Sequence, residues 1–447
     1  MATSTEDTSH DLVGGPFAVI ESDPGVFTAL IRKLGVRGLE VTEIYDIEPW
    51  AVDHLEPHGL IFCYLCTDDN EAAENIAYID DPDAEVIWFA NQLSNDACSS
   101  QALLNVLLNC PNVELGEELR EFRAITEQMS PVMRGLALSG SQFIREAQNS
   151  LARPADIRGA LHSIATTTVK ASKAQAKAAK PPPKKRKVSS SPSKARCKSA
   201  KAAEEQQEVY HFIGYVPARG RVWELDGLRK SALEVGELGG PSDARNSWMD
   251  VVRPALRMRM QQYTASESDH IRYNLLAIVD DRYCAASDKL ELLKRERNTL
   301  ERRLRETYPE GWADKVDQTL YTCAADAFAT CVRPASEGTV FSEDFGSRKM
   351  DREIAILDMP ARSLPTAWEA CVQAALSAKV AVEDEITKAR EANTEQIKRT
   401  FDYEPFITQF ITCLHNEGLL EAAMQSKPAE ESPSQSAPAR GKGRGKR

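Results

Sequence analysis

Apolar residues are distributed differently in successive parts of the chain, and each distribution predicts a type of element. Residues 209–216 and 221–227 are rich in aromatic and β-branched residues on either side of a turn at 217–220, a pattern that predicts a β-hairpin. Small polar residues at 95–101 lead into the apolar run 103–108, and this order predicts a loop followed by a helix. Strands and helices are therefore both expected in the first part of the chain.

The pattern becomes helical after Val279. Four leucines fall on a heptad-like stripe among closely mixed charges, which predicts a long amphipathic helix; the stripe is broken at Arg297, so a solvent-exposed single helix is the alternative. They are Leu290, Leu293, Leu300 and Leu304. Residues 308–364 show no clear period and are interpreted as an insert, and helical signals resume at about residue 366.

The last helical signal precedes the C-terminal tail. Apolar positions 406, 407, 410, 411 and 414 follow the spacing of one helix face. A short helical module has little room for a core of its own. This face is therefore a candidate for packing against a partner.

The candidate chemistry lies in four residues, in the order Gln92, Cys98, His211 and Asp226. A thiol attacks a carbonyl as thiolate, so it needs a base, and the base needs a carboxylate or amide to orient it. A glutamine amide beside the cysteine's own N–H is one way to stabilise the oxyanion. We expect Cys98 at a helix N-terminus that lowers its pKa, and His211 and Asp226 on neighbouring strands. The order indicates a thiol hydrolase, although ten cysteines and seven histidines also produce such orders by chance.

A CxxC motif at Cys63 and Cys66 has a different interpretation. Such a motif is elsewhere a redox pair or half of a zinc site. Here it lies in the apolar, strand-like run 59–66, and no second CxxC or paired histidine completes a tetrahedral site. The structural interpretation is favoured, and neither a metal nor a cofactor is expected. Without a secretory signal, the cysteines are interpreted as reduced thiols of a cytosolic or nuclear protein.

Six blocks of sequence, in order, resemble the ubiquitin C-terminal hydrolase (UCH) family of cysteine proteases. They are Glu21–Phe27, Phe89–Cys98, Asn149–Arg153, Tyr210–Pro217, Trp223–Leu228 and Ile271–Val279. The resemblance implies a papain-like α/β fold, with a central antiparallel sheet flanked by helices, that cleaves the bond at the C-terminal glycine of ubiquitin. It also implies that Cys98 is the nucleophile, His211 the general base and then acid, Asp226 the residue that orients His211, and Gln92 the oxyanion donor. Ser100 stands where the family usually has Thr.

The resemblance and the composition together predict the organisation of the chain. The predicted segments are a disordered N-terminus at 1–16, a UCH catalytic domain at 17–282 with a long basic crossover loop at 154–208, a helix and irregular insert at 283–365, an all-helical UCH37-like domain at 366–426, and a basic disordered tail at 427–447. In the family, the crossover loop is a strap over the catalytic cleft.

The formal net charge of −12 is unevenly distributed. Residues 166–201 carry twelve Lys or Arg and no acidic residue, and the last eight residues carry five more. Without these seventeen positive charges the remainder carries −29, an acidic body that suits ubiquitin through electrostatic steering. One short run within the first basic arm resembles a monopartite nuclear localisation signal. It consists of Pro183, Lys184, Lys185, Arg186, Lys187 and Val188. The alternative interpretation of this run is a solvated, disordered linker. As an import signal, it predicts that the protein is found in the nucleus and the cytoplasm.

The C-terminal part predicts partners. Residues 397–420 resemble the extension of the long family members, which docks an adaptor with a deubiquitinase-adaptor (DEUBAD) domain. That adaptor is a proteasomal ubiquitin receptor in one branch and a Polycomb-type adaptor in the other, and the sequence leaves both open. The basic residues at 440–447 predict contact with nucleosomal DNA. No membrane segment is expected, since no stretch approaches about 18 apolar residues. A non-catalytic ubiquitin-binding scaffold on chromatin is the alternative function.

Overall fold

The computed structural model describes residues 15–66, 82–111, 113–178, 209–239, 244–264, 273–329, 341–342 and 344–420. The chain divides into two compact units, Met1–Thr400 and Phe401–Arg447. The predicted nuclear localisation signal at 183–188 and the basic residues at 440–447 lie outside the described residues, as do residues 1–14 of the predicted disordered N-terminus.

The first unit contains a six-stranded sheet in which all neighbouring strands are antiparallel. Its strands are β1 (Leu39–Glu43), β2 (Gly59–Cys66), β3 (Val209–Ala218), β4 (Arg221–Asp226), β5 (Leu233–Glu237) and β6 (Tyr273–Asp280). Their order across the sheet is β1-β6-β2-β3-β4-β5. The expected mixed α/β fold with a central antiparallel sheet is confirmed.

Helices flank this sheet and continue beyond it. They are α1 (Pro24–Lys33), α2 (Pro49–Val52), α3 (Cys98–Leu107), α4 (Glu117–Thr126), α5 (Pro131–Gly140), α6 (Gln142–Asn149), α7 (Pro154–Ala178), α8 (Ala244–Thr264), α9 (Arg282–Thr307), α10 (Gln318–Ala327), α11 (Phe345–Asp358), α12 (Leu364–Thr400) and α13 (Glu404–Asn416). None of the described helices is long and apolar enough to cross a membrane.

The sheet is buried on both faces. One core contains Ile61 and Cys63 of β2 together with α3, whose ten residues are all buried. The other contains Phe62 and Tyr64 of β2 together with Trp248 of α8. Because successive side chains of a strand point to opposite faces, a strand covered on both sides is apolar throughout, as β2 is.

A third core joins the helices that follow the sheet. The predicted leucine stripe is confirmed, because all four leucines of α9 are buried in this cluster with Trp368 of α12. Arg297 interrupts the stripe as predicted. Its Nε donates to Glu301 Oε1 at 2.6 Å, and its guanidinium lies 4.8 Å from the ring centre of Phe328.

Two segments are more helical than their sequence pattern indicated. The region interpreted as an irregular insert contains α10 and α11. Each of these helices buries only two residues, so its sequence shows little apolar period. The predicted crossover loop begins with α7, where Pro154 at the helix start and many alanines favour helix. Residues 179–208 of that loop lie outside the described part. The remaining domain boundaries stay predictions.

The second unit contains α13, the helix that positions 406–414 predicted. Its apolar side chains are unburied, with Phe406 68% and Phe410 54% exposed. The two rings are stacked, with centroids 6.2 Å apart. This helix therefore presents an aromatic face that belongs to no core among the described residues 401–420.

Candidate active site

Cys98 is the first residue of α3, as the sequence predicted. It follows a 3-10 turn at Asn95–Ala97, and no side chain caps the helix at Ala97. Ser99 and Ser100 are buried, and their small size allows the start of the helix to pack inside the domain. Cys98 as a whole is 6% exposed.

The environment of the thiol differs from the expectation. The pKa of Cys98 is raised to about 12, mainly by burial and to a smaller extent by the Asp96 carboxylate, although the backbone N–H groups of Ser99 and Cys98 oppose the shift. The prediction that the helix N-terminus lowers this pKa is therefore wrong for the free protein. Desolvation of a buried thiolate outweighs the partial charge of the helix end.

His211 and Asp226 are neighbours, as the hairpin predicted. Strands β3 and β4 join through Arg219 and Gly220, both with positive φ, which is the backbone of a tight hairpin turn. His211 Nε2 lies 2.7 Å from Asp226 Oδ1, and both residues are buried. The pair is thus held on two adjacent strands and shielded from water.

The Asp226 carboxylate is ionised. Burial opposes its charge, but the hydrogen bond and charge of His211, the N–H of Leu228 and the charge of Arg229 together hold its pKa below the ordinary value. Arg229 Nε lies 3.5 Å from Asp226 Oδ2, and its Nη2 lies 3.4 Å from Glu224. Sequence reasoning missed Arg229, although it follows Asp226 by three residues.

Cys98 and His211 are not connected by a hydrogen bond in the described part of the chain. The His211 ring packs edge-on against Tyr64, with centroids 5.5 Å apart. Phe212, the next residue of β3, belongs to the core that includes Cys98, whereas Tyr64 belongs to the core on the other face. The base is therefore paired with its carboxylate but not with the thiol.

Gln92 lies beside the end of β4. Its backbone N–H donates to Gly227 O at 2.8 Å, and Asn91 Nδ2 donates to Arg229 O at 2.5 Å. A Cβ on Gly227 would lie 2.4 Å from Gln101 Nε2 and 3.0 Å from the Cβ of Gln92, so a larger residue here would force these side chains to shift. The oxyanion candidate is thus held next to the residue that follows Asp226.

Comparison with known proteins decides the family. A family model described as ubiquitin carboxyl-terminal hydrolase, family 1, matches residues 17–261, more than half of the chain, and a second, described as ubiquitin carboxyl-terminal hydrolases, matches residues 376–420. The chain belongs to the ubiquitin carboxyl-terminal hydrolases. It is therefore a cysteine-type ubiquitin hydrolase with a deubiquitinase function.

Curated relatives of this hydrolase support the assignment. It is 32% identical over 304 residues to ubiquitin carboxyl-terminal hydrolase isozyme L5 of Dictyostelium discoideum, which covers 68% of this chain and 73% of the relative. It is 32% identical over 303 residues to ubiquitin carboxyl-terminal hydrolase BAP1 of Gallus gallus, which covers 65% of this chain but only 37% of the relative. A solved structure, the Trichinella spiralis UCH37 catalytic domain bound to ubiquitin vinyl methyl ester, is similar with 30% identity and a TM-score of 0.43, covering 60% of this chain and 98% of that one.

Two other features of this hydrolase do not compete for the active site. Burial raises the pKa of Cys63 to about 12, which fits the structural interpretation of the CxxC motif, and no metal-binding group of side chains occurs among the described residues. A groove of about 570 Å³ lies between the N-terminal segment, α6 and α7. None of its lining residues belongs to the predicted catalytic set, so the groove is not evidence for the position of the catalytic site.

Proposed function

We propose that this hydrolase cleaves the peptide or isopeptide bond after the C-terminal glycine of ubiquitin with Cys98, His211, Asp226 and Gln92. The observation that carries the proposal is the buried His211–Asp226 hydrogen bond of 2.7 Å. An ionised carboxylate at this distance fixes one tautomer, with the proton on Nε2, and leaves Nδ1 free to accept a proton. This arrangement supports the role of His211 as the general base.

The reaction then takes two steps. Nδ1 of His211 accepts the Cys98 proton while the sulfur attacks the glycine carbonyl, and the amide of Gln92 stabilises the resulting oxyanion. The intermediate collapses to a thioester as His211 returns the proton to the departing amine. A water molecule next loses a proton to His211 and attacks the thioester, which releases the ubiquitin carboxylate and regenerates the thiol.

Ubiquitin binding has a role in assembling this site. The free protein has a protonated, buried thiol with no hydrogen bond to His211, so proton transfer needs a rearrangement of one of the two. Catalytic hydrogen bonds of free enzymes are often long and tighten only in the complex. We infer that ubiquitin binding stabilises a conformation in which Cys98 and His211 are in contact.

Hydrolysis of a fluorogenic ubiquitin amide tests the assignment. Cys98→Ala and His211→Asn are expected to lose activity, because the first removes the nucleophile and the second the base. Cys323→Ala is the matched control, since it removes an exposed thiol outside the proposed site. Activity that survives Cys98→Ala refutes the nucleophile, and full activity of His211→Asn refutes the base.

Regulation by an adaptor rests on α13. Phe406 and Phe410 expose an aromatic helix face, and such faces bind by inserting anchors into a partner's groove. We propose a DEUBAD-domain adaptor of the proteasomal or the Polycomb type as that partner. Phe410→Asp is expected to abolish co-purification of the adaptor while the basal hydrolysis rate is unchanged. Retention of the adaptor by this variant contradicts the proposal.

The cellular context is proposed from the charged segments. Residues 183–188 support nuclear import and 440–447 support contact with DNA phosphates. The expected result is a nuclear and cytoplasmic protein that becomes cytoplasmic when Lys184, Lys185 and Arg186 are replaced by Ala. Nucleosome affinity that does not change with salt concentration would reject the phosphate contacts.

A further inference from the structure

Gln148, the penultimate residue of α6, is fully buried and makes three hydrogen bonds. Its Nε2 donates to the carbonyl oxygens of Ala18 and Asp96, each at 2.7 Å. Its Oε1 accepts the hydroxyl of Ser100 at 2.5 Å. One amide thus links α6 to two distant segments, the one that contains Ala18 and the one that runs from Asp96 to Ser100, and its contacts with Ala18 and Ser100 are buried.

Two of these contacts lie on either side of Cys98. Asp96 precedes Cys98 by two residues in the 3-10 turn, and Ser100 follows it by two residues in the first turn of α3. Helices usually begin with a side chain that binds the free backbone N–H groups, but Ala97 provides no such cap. The entry of the chain into α3 is therefore fixed from outside the helix, by Gln148.

We propose that Gln148 is a positioning residue for the Cys98 thiol. By holding the Asp96 carbonyl and the Ser100 hydroxyl together, the amide sets where Cys98 begins the helix and how near the Asp96 carboxylate lies to the sulfur. The position of Cys98 affects attack because it aligns the sulfur with the substrate carbonyl. The distance to the Asp96 carboxylate affects attack because a nearby negative charge destabilises the thiolate. This inference rests on the proposed function, since it requires Cys98 to be the nucleophile.

The neighbouring residue offers a matched control. Asn149 Oδ1 accepts the N–H of Ala18 at 2.8 Å, and its Nδ2 donates to Pro16 O at 2.9 Å. It holds the same N-terminal segment as Gln148, but within the described residues its side chain makes no hydrogen bond to the turn before Cys98 or to the first turn of α3. A variant of Asn149 therefore reports the cost of loosening that segment alone.

The experiment compares Gln148→Met, Gln148→His and Asn149→Ala in the full chain. Each is assayed for kcat and KM on a fluorogenic ubiquitin amide, for the pH dependence of Cys98 alkylation, and for thermal unfolding. Methionine keeps the length of the side chain but cannot donate. Histidine keeps one donor and one acceptor, so it retains part of the network.

For Gln148→Met we expect kcat to fall about 10- to 100-fold, because a small misplacement of a reacting group has effects of that size. Its KM is expected to stay within about twofold, since ubiquitin binding is not altered. The pH profile of Cys98 alkylation should shift, and Gln148→His should give an intermediate kcat. Asn149→Ala should lose thermal stability while keeping its kcat and its alkylation profile.

Equal losses of kcat in Gln148→Met and Asn149→Ala, or an unshifted alkylation profile in the methionine variant, would overturn the inference. Where Gln148→Met does not fold, Gln148→His decides: an intermediate kcat with normal KM supports the positioning role, and a wild-type kcat contradicts it. Hydrolysis that persists in Cys98→Ala is a separate result, because it refutes the nucleophile itself.

Discussion

Asp226→Asn removes one negative charge from the buried His211–Asp226 pair and keeps the size of the side chain. The amide oxygen still accepts from His211 Nε2 and from the Leu228 N–H, which lie 2.7 and 3.0 Å from Oδ1. The amide nitrogen then occupies the place of Oδ2, 3.5 Å from Arg229 Nε. Two donors therefore face each other in a buried site, and the protonated imidazole loses its counter-charge.

The magnitude comes from the hydrogen bond that His211 makes when protonated. A hydrogen bond to a charged group contributes about 1.5–3 kcal/mol and one between neutral groups about 0.5–1.5 kcal/mol. The substitution should therefore reduce the stabilisation of protonated His211 by about 1–2 kcal/mol, which lowers kcat about 5- to 30-fold. Asp226→Ala, which removes the acceptor as well, should be slower still.

A second His–Asp pair provides the control. His58 Nε2 lies 2.7 Å from Asp280 Oδ1, the same separation, but Asp280 is 67% exposed and belongs to no proposed catalytic set. Steady-state hydrolysis of a ubiquitin amide should show the loss in Asp226→Asn and none in Asp280→Asn. A kcat for Asp226→Asn equal to wild type, or equal losses in both variants, would refute the reasoning.

The same carboxylate has a predicted effect on stability. Its pKa in the folded protein is below the ordinary value of 3.8, because His211, Leu228 and Arg229 offset the cost of burial. The contribution of the ionised carboxylate to the free energy of unfolding is therefore fully present above pH 3.8. It is lost as the pH falls through the lower pKa of the folded protein. Wild type should be more stable than Asp226→Asn at neutral pH, and the difference should shrink in acid.

The raised pKa of Cys98 predicts that its alkylation in the free enzyme accelerates as the pH rises from 9 towards 12, with no plateau near neutral pH. A plateau of the alkylation rate near neutral pH would indicate a thiolate–imidazolium pair and would contradict the prediction. Gly227→Ala should lower kcat about tenfold, because the added methyl would lie 2.4 Å from Gln101 Nε2 and 3.0 Å from the Cβ of Gln92 and would force both side chains to shift; an unchanged kcat would contradict the need for this close approach beside Gln92. Arg399→Ala removes the ion pairs with Asp23 at 2.8 Å and Glu21 at 3.1 Å and should cost only about 0.5–1 kcal/mol in denaturant unfolding, since all three groups are partly exposed. A loss above about 3 kcal/mol would show that more than these two ion pairs anchors the end of α12.

The sequence predicted the local elements of the site well. Cys98 begins a helix because small polar residues precede an apolar run, and His211 and Asp226 meet because two strand-like runs flank a turn with Gly220. These relationships depend on residues close together in the chain. Local pattern was sufficient for them.

Relationships between distant segments were not predictable in this way. The burial that raises the Cys98 pKa depends on packing of α3 against the sheet, which no local pattern reports. Gln148 contacts groups 48 and 130 residues away, and a polar residue in a helix gives no sign of such contacts. Helices α10 and α11 were missed because few of their side chains are buried.

The most direct test of the catalytic assignment is covalent capture with a ubiquitin whose C-terminus carries an electrophile. The adduct is digested and the modified peptide is located by mass spectrometry. We expect one adduct, on Cys98, which disappears in Cys98→Ala and persists in Cys323→Ala. An adduct on any other cysteine, or capture that survives Cys98→Ala, would contradict Cys98 as the nucleophile.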